Sequence, residues 1–136
     1  MSKSLLLSLF LLISFHVFSQ VTYQEIIDTF FELYETKNSD EAIEYIFETN
    51  PWIKKTDPLT QKIKESFNKA LPIIGDYHGK ELVSEKWLGE CFIESTYIVK
   101  YSRQPILFKF TLYKPDSVWQ VHNFRFDDKL DEELGN

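Results

Sequence analysis

Several polar residues near the C-terminus are of types that do acid–base chemistry. The stretch SVWQVHNFRFDD contains His122, Arg125, Asp127 and Asp128 between aromatic residues. Histidine titrates near neutral pH, but a general acid or base also needs a second group held against it. No feature of the sequence places an aspartate against His122 or against His78. We therefore interpret the stretch first as the closing strand of a sheet, with a half-buried histidine and an Arg125–Asp127 ion pair on its surface.

Aromatic residues in the C-terminal half are the better candidates for a binding pocket. A tyrosine combines an apolar ring with a hydroxyl that needs a partner when it is buried, so it suits both pockets and cores. Plain core packing is the alternative for all of these side chains. The candidate pocket residues are Tyr77, Tyr97, Tyr101, Trp119, His122 and Phe124.

Signatures of metal, phosphate and nucleophile chemistry are missing from the sequence. The histidines and the one cysteine do not stand at the spacing of zinc ligands, and four glycines form no phosphate-binding loop. We predict no catalytic residue, no metal and no cofactor. Cys91 excludes an intrachain disulfide, and we expect it to be buried as a small hydrophobic residue.

The N-terminal residues 1–19 are typical of a cleaved secretory signal peptide. Lys3 precedes an apolar run from Leu5 to Phe15, and the small Ser19 precedes Gln20. A retained anchor is the alternative, but a spanning helix needs about 20 apolar residues and this run is shorter. The end of the leader, FSQ, resembles those of Gram-negative bacteria. We expect export to the periplasm or beyond, with no membrane anchor after cleavage.

The chain that remains is acidic but rich in core material. Hydrophobic residues make up 43% and aromatic residues 16% of the sequence. Removing the leader takes away one lysine and no acid, so the net charge falls from −6 to −7. Non-specific binding to nucleic acid or to anionic membranes needs basic patches, so neither is an expected partner.

Hydrophobic periodicity changes from helical to strand-like at Gly75. Thr22 and Glu25 have capping-box spacing at the start of a first helix, and a second helix begins at Ser39. A third begins at Asp57-Pro58, and we expect Pro72 to end it. Four β-rich runs separated by turn residues follow. The pattern predicts one α+β domain over residues 20–128, in which helices pack on a curved antiparallel sheet of about four strands, and a frayed acidic tail over residues 129–136.

Both faces of the predicted closing strand contain large apolar groups, whereas a sheet with one wet face alternates cleanly. A β-bulge between Val121 and Asn123 would exchange the two faces midway. Alternatively, a second subunit covers the outer face, and we expect a homodimer through the sheet face because exposed apolar patches mark interaction sites.

The order of the elements and the pattern of the closing strand resemble the nuclear transport factor 2-like superfamily, the cystatin-like cone. The residues of the closing strand that carry the resemblance are Trp119, Val121, His122, Phe124 and Phe126. The resemblance covers most of Thr22 to Asp128, includes small exported bacterial members of unassigned activity, and implies a cone with a cavity. Its catalytic members use Asp or His with tyrosines, a pattern that this sequence matches poorly. We expect an exported non-catalytic domain that binds a small amphipathic ligand or a partner protein. The alternatives are a lyase or isomerase with His122 or Glu94 as base, and a structural dimerisation module.

Overall fold

Three helices form the first half of the domain. The structure, a computed structural model, describes residues 20–135, so the predicted leader lies outside the described residues. Each helix begins at a side-chain cap, and the predicted capping box is present, with Thr22 and Glu25 each bonding the other's backbone N–H at 3.1–3.2 Å. The helices are α1 (Tyr23–Thr36), α2 (Ser39–Glu48) and α3 (Pro58–Ile74).

The prediction that Pro72 ends the third helix is wrong. The helix continues through Pro72 to Ile74, although proline cannot donate the usual backbone hydrogen bond. Arg103 stabilises this last turn, since its Nη1 donates to the Pro72 carbonyl at 3.1 Å and its backbone N–H donates to the Ile74 carbonyl at 3.0 Å. The helix ends at Gly75, whose φ of 94° is a conformation that other residues rarely adopt.

Four strands follow in one antiparallel sheet, in the spatial order β1-β2-β3-β4. This meander confirms the predicted α+β class and forms an open curved sheet with the helices on its inner face. The connections β1–β2 and β3–β4 lie at the same end of the sheet because consecutive strands are antiparallel. The strands are β1 (Tyr77–Leu88), β2 (Phe92–Tyr101), β3 (Pro105–Tyr113) and β4 (Gln120–Asp127).

A β-bulge in β4 explains why both faces of the sequence pattern are apolar. Leu112 pairs with Val121, but the preceding Thr111 pairs with Asn123, so His122 is the additional residue. Val121 and Phe124 are both buried in the core as a result. Of the two explanations offered by the sequence, the bulge is therefore confirmed.

Phenylalanine rings fill the space between α1 and the sheet. The Phe30 ring lies 5.0 Å from that of Phe110, 5.2 Å from Phe124 and 6.1 Å from Phe108, centroid to centroid. All four side chains are at most 1% exposed. Edge-to-face and tilted contacts at these separations are favourable beyond simple area burial. The concave side of the sheet is thus occupied by the protein's own side chains.

The outer face of the sheet is partly covered by the C-terminal segment that we expected to fray. This segment contains the one-turn helix α4 (Leu130–Glu133), and the half-buried Glu133 accepts a hydrogen bond from the buried Lys109 of β3. Leu107, on the same outer face, is 1% exposed. Arg125 lies 3.7 Å from Glu94, so the ion pair predicted with Asp127 is wrong. No helix within residues 20–135 is long and apolar enough to cross a membrane.

Candidate functional site

Two of the predicted pocket residues, Tyr77 and Tyr101, form a cluster with Tyr34 at the β2–β3 end of the sheet. The Tyr77 ring lies 5.0 Å from the ring of Tyr34 and 6.0 Å from that of Tyr101. The hydroxyls of Tyr34 and Tyr101 are 2.7 Å apart, and that of Tyr77 donates to Glu35 Oε1 at 2.6 Å. We call Tyr34, Tyr77 and Tyr101 the tyrosine cluster. Each of its hydroxyls is satisfied within the protein.

The environment of the tyrosine cluster keeps its hydroxyls protonated. Burial raises the pKa of Tyr101, and the neighbouring Tyr34 hydroxyl raises it further. Burial also raises the pKa of Tyr77, with a further contribution from the hydrogen bond and the charge of Glu35. A proton-transfer catalyst works best with a pKa near the working pH, and these shifts move the hydroxyls away from it.

The other predicted pocket residues are distributed between core and surface. Tyr97 and Phe124 lie in the packed core, and Phe124 also reaches the floor of a shallow groove of about 250 Å³ beside α3. His122 is exposed on the outer face, where its ring lies 5.5 Å from that of Phe92. Glu94, the other candidate base, is half-buried on that face. The structure therefore does not bring these residues together with the tyrosine cluster.

Three aromatic residues meet at the opposite end of the sheet and form what we call the rim cluster: Tyr23, Trp87 and Trp119. The Tyr23 ring lies 5.3 Å from Trp87 at 88° and 5.6 Å from Trp119 at 67°. The two indoles are 6.0 Å apart at 69°. Trp119 is 9% exposed, but Trp87 is 44% exposed. Within residues 20–135, neither indole N–H has a hydrogen-bond partner.

Three connections of the chain position the rim cluster. Tyr23 is the first residue of α1, directly after the Thr22 cap. Trp87 lies at the end of β1, before the turn that contains Gly89 at a φ of 59°. Trp119 precedes β4. The two residues that follow α2 hold this strand, since Val121 N donates to Thr49 Oγ1 and Asn50 Nδ2 donates to the Val121 carbonyl, both at 2.9 Å. The curvature of the sheet brings the two edge strands close enough for their tryptophans to contact.

A pocket of about 400 Å³ opens beside these rings, lined by all three rim residues and by Thr22, Gly89, Glu90 and Lys114. Lys114 is half-buried, and its Nζ lies 5.1 Å from the centroid of the Trp119 ring, in the geometry of a cation–π contact. The Tyr23 hydroxyl donates to Glu85 at 3.2 Å. Burial, and then the charge of Glu85, raise the pKa of Tyr23. The pocket therefore has aromatic walls and one charge of each sign at its mouth.

The sequence analysis identified Trp119 as a pocket residue but missed Tyr23, Trp87 and Lys114. The signal that finds them is topological, because in an antiparallel meander the β1–β2 and β3–β4 turns share one end of the sheet. The expectation that Cys91 is buried is also wrong, since the thiol is exposed in the β1–β2 connection.

A second concavity of about 400 Å³ lies on α2 and is lined by Glu41, Glu44 and Glu48. Two of these carboxylates are paired internally, Glu44 with Lys64 at 2.6 Å and Glu48 with Lys55 at 3.0 Å. Among the described residues, no group of three or more His, Cys, Asp or Glu side chains is arranged to hold a metal ion. The rim pocket is thus the more apolar of the two concavities and the better candidate for a ligand.

The chain was compared with protein-family models, with curated proteins and with solved structures, and it matches none of them.

Proposed function

We propose that this chain is an exported, non-catalytic domain that binds a small amphipathic ligand at the rim cluster. The observation that carries the proposal is the exposure of Trp87, 44%, beside the aromatic pocket of about 400 Å³. Ligand sites are mostly apolar concavities of about 300–1,000 Å³ with a few polar groups that set orientation. The rim pocket fits this description, whereas the concave interior is filled with phenylalanine.

Export is part of the proposal and rests on the sequence of residues 1–19 alone. A charged start, an apolar run and a small residue before Gln20 support cleavage by a signal peptidase. In that location the domain meets lipids, their breakdown products and imported small molecules, and these include many amphipaths.

Membership of the nuclear transport factor 2-like superfamily is the second part of the proposal. The order of helices and then a four-stranded meander supports it, as does the tryptophan before the closing strand. The packed interior around Phe30 differs from the open cavity that the resemblance implies. We therefore place the ligand at the rim of the fold and not within it.

A lyase or isomerase is the rival function from another class. It requires a base and a second group facing one substrate-sized space. Glu94 and His122 both lie on the outer face of the sheet, and the nearest cationic partner of Glu94 is Arg125 at 3.7 Å. The aromatic pocket on the rim contains neither residue, so the geometry favours binding over catalysis.

A structural module that dimerises through the outer sheet face is the second candidate function, because apolar side chains are exposed there. Tyr113 is 36% and Leu88 69% exposed, next to the ring of Phe92. A Tyr113→Glu substitution would weaken such an interface by placing a charge in it. Sedimentation at high micromolar concentration should show a wild-type dimer and a Tyr113→Glu monomer. A monomeric wild-type chain contradicts this candidate.

Native mass spectrometry of the chain purified gently from a bacterial periplasm tests the ligand proposal. We expect an additional mass on the wild type that is lost on denaturation. Trp87→Ala should lose this mass, because it removes the exposed wall of the pocket. Trp52→Ala is the matched control, since Trp52 is 86% exposed and lies outside the pocket. A mass that persists in Trp87→Ala, or a bare chain in every preparation, contradicts the proposal.

A further inference from the structure

We propose that the ligand of the rim pocket is an amphipath with a single anionic head group, which Lys114 binds. This inference rests on the proposed function and adds the chemical class of the ligand. It comes from the charges that line the pocket, not from its shape.

Lys114 is a cation without an ionic partner among residues 20–135. Six of the described basic side chains have a carboxylate within 4.0 Å, and Lys114 is not one of them. Its stem is half-buried, and its backbone N–H donates to the Cys91 carbonyl at 2.8 Å, which fixes the residue beside the pocket. A partly desolvated ammonium gains more from an added anion than a fully hydrated one does, because the local dielectric constant is lower.

The other polar groups that line the pocket are not expected to bind the anionic head group, so Lys114 is its expected partner. Thr22 lies at the start of α1, but the capping box already uses its backbone N–H and that of Glu25. Glu90 is exposed in the β1–β2 connection and is more hydrated than the half-buried Lys114, so an ion pair with Glu90 gains less than an ion pair with Lys114. A cationic head group would also meet the Lys114 ammonium over the Trp119 ring.

Glu90 limits the charge that the head group can have. A second negative charge on the ligand would meet this carboxylate at the mouth of the pocket, since Glu90 and Lys114 line the same space. Like charges in contact weaken binding, so a singly charged head is favoured over a dianion. The apolar remainder of the ligand then contacts the faces of Trp87 and Tyr23.

Three probes that share an octyl-length tail and differ in the head group test the inference: octanoate, octyl glucoside and octyltrimethylammonium, each below its micellar concentration. Indole N–H resonances report binding by NMR, and the chain has three tryptophans. Trp87 and Trp119 should shift, and Trp52 is the internal reference. We expect octanoate to bind about two- to fivefold more tightly than either other probe, because one partly exposed charged contact contributes up to about 1 kcal/mol.

Lys114→Met keeps the apolar stem against Trp119 and removes the charge, so it should abolish the preference for octanoate. Lys86→Met is the matched control, because Lys86 is exposed nearby on β1 and does not line the pocket. Equal binding of the three probes to the wild type, or an unchanged preference in Lys114→Met, overturns the head-group inference while the pocket stands. No shift of Trp87 or Trp119 with any probe overturns the proposed function as well.

Discussion

The two aromatic clusters at opposite ends of α1 are built from similar residues and differ in how their polar groups are satisfied. Tyr34 and Tyr23 are eleven positions apart, which places the clusters about 16 Å apart along the helix. In the tyrosine cluster the hydroxyl of Tyr34 lies 2.7 Å from that of Tyr101. In the rim cluster the indole N–H groups of Trp87 and Trp119 have no hydrogen-bond partner within residues 20–135, and Trp87 is 44% exposed.

This difference in hydrogen bonding and exposure assigns the tyrosine cluster to the core and the rim cluster to the candidate site. Aromatic rings are typical of both cores and pockets, so residue type does not distinguish them. In the tyrosine cluster each hydroxyl already has a hydrogen-bond partner within the protein, so we infer that its rings mainly stabilise the fold. The rim cluster has an exposed ring face, and its indole N–H groups and Lys114 have no hydrogen-bond or ionic partner in the part of the chain that the structure describes, so it retains binding capacity. The following predictions test this division of roles.

The largest expected difference is in stability. Tyr101 is 6% exposed, so Tyr101→Ala should lower the free energy of unfolding by about 3–5 kcal/mol, as for other large-to-small core changes. Trp87→Ala should cost only about 1–2 kcal/mol, because water already covers much of the ring. Urea unfolding with an unchanged slope measures both values. Equal losses of unfolding free energy in the two variants would mean that Trp87 is a core residue, and the two clusters would then not differ in role.

The hydroxyl bonds of the two clusters should differ by a smaller amount. A double-mutant cycle of Tyr34→Phe and Tyr101→Phe should give a coupling of about 1 kcal/mol in the free energy of unfolding, because the two buried hydroxyls bond each other. At the rim, Tyr23→Phe removes a part-exposed bond to Glu85 and should cost a few tenths of a kcal/mol. Additive losses at Tyr34 and Tyr101 would contradict a closed tyrosine cluster.

The smallest effect is expected in alkaline solution. The pKa values of Tyr34, Tyr77 and Tyr101 are raised above the ordinary 10.0, so the folded state holds these protons more tightly than the unfolded state. The stability they contribute is fully present below about pH 10 and is lost as the pH rises above it towards the folded-state values. Urea unfolding across this range should show a shallower decline for Tyr101→Phe than for the wild type. An identical decline would show that Tyr101 does not contribute.

Local signals predicted most of the fold. The capping box at Thr22, the Asp57-Pro58 helix start and the period-two runs after Gly75 depend on neighbouring residues, and each was confirmed. The errors arose from tertiary contacts. The third helix continues past Pro72, and Arg103, 31 positions away, bonds the Pro72 carbonyl in its last turn. Cys91 lies in the β1–β2 connection and is exposed.

The candidate site was less predictable because it depends on the approach of the two edge strands. Trp119 was identified from its own sequence context. Trp87 is a rim residue because sheet curvature brings the ends of β1 and β4 within contact distance, and the sequence gives no measure of curvature. Lys114 resembles an ordinary turn lysine until its position over the Trp119 ring is known.

Oxidative footprinting of the chain within a periplasmic extract and after unfolding, removal of the ligand and refolding tests the central claim most directly. We predict that the oxidation of Trp87 is lower in the extract than in the stripped protein, because a ligand covers the ring. Trp52, 86% exposed, should react equally in both, and Tyr101, 6% exposed, should be protected in both. Equal oxidation of Trp87 in the two preparations would contradict a ligand at the rim. Protection of Tyr113 in place of Trp87 would indicate that the outer sheet face, and not the rim pocket, is the binding surface.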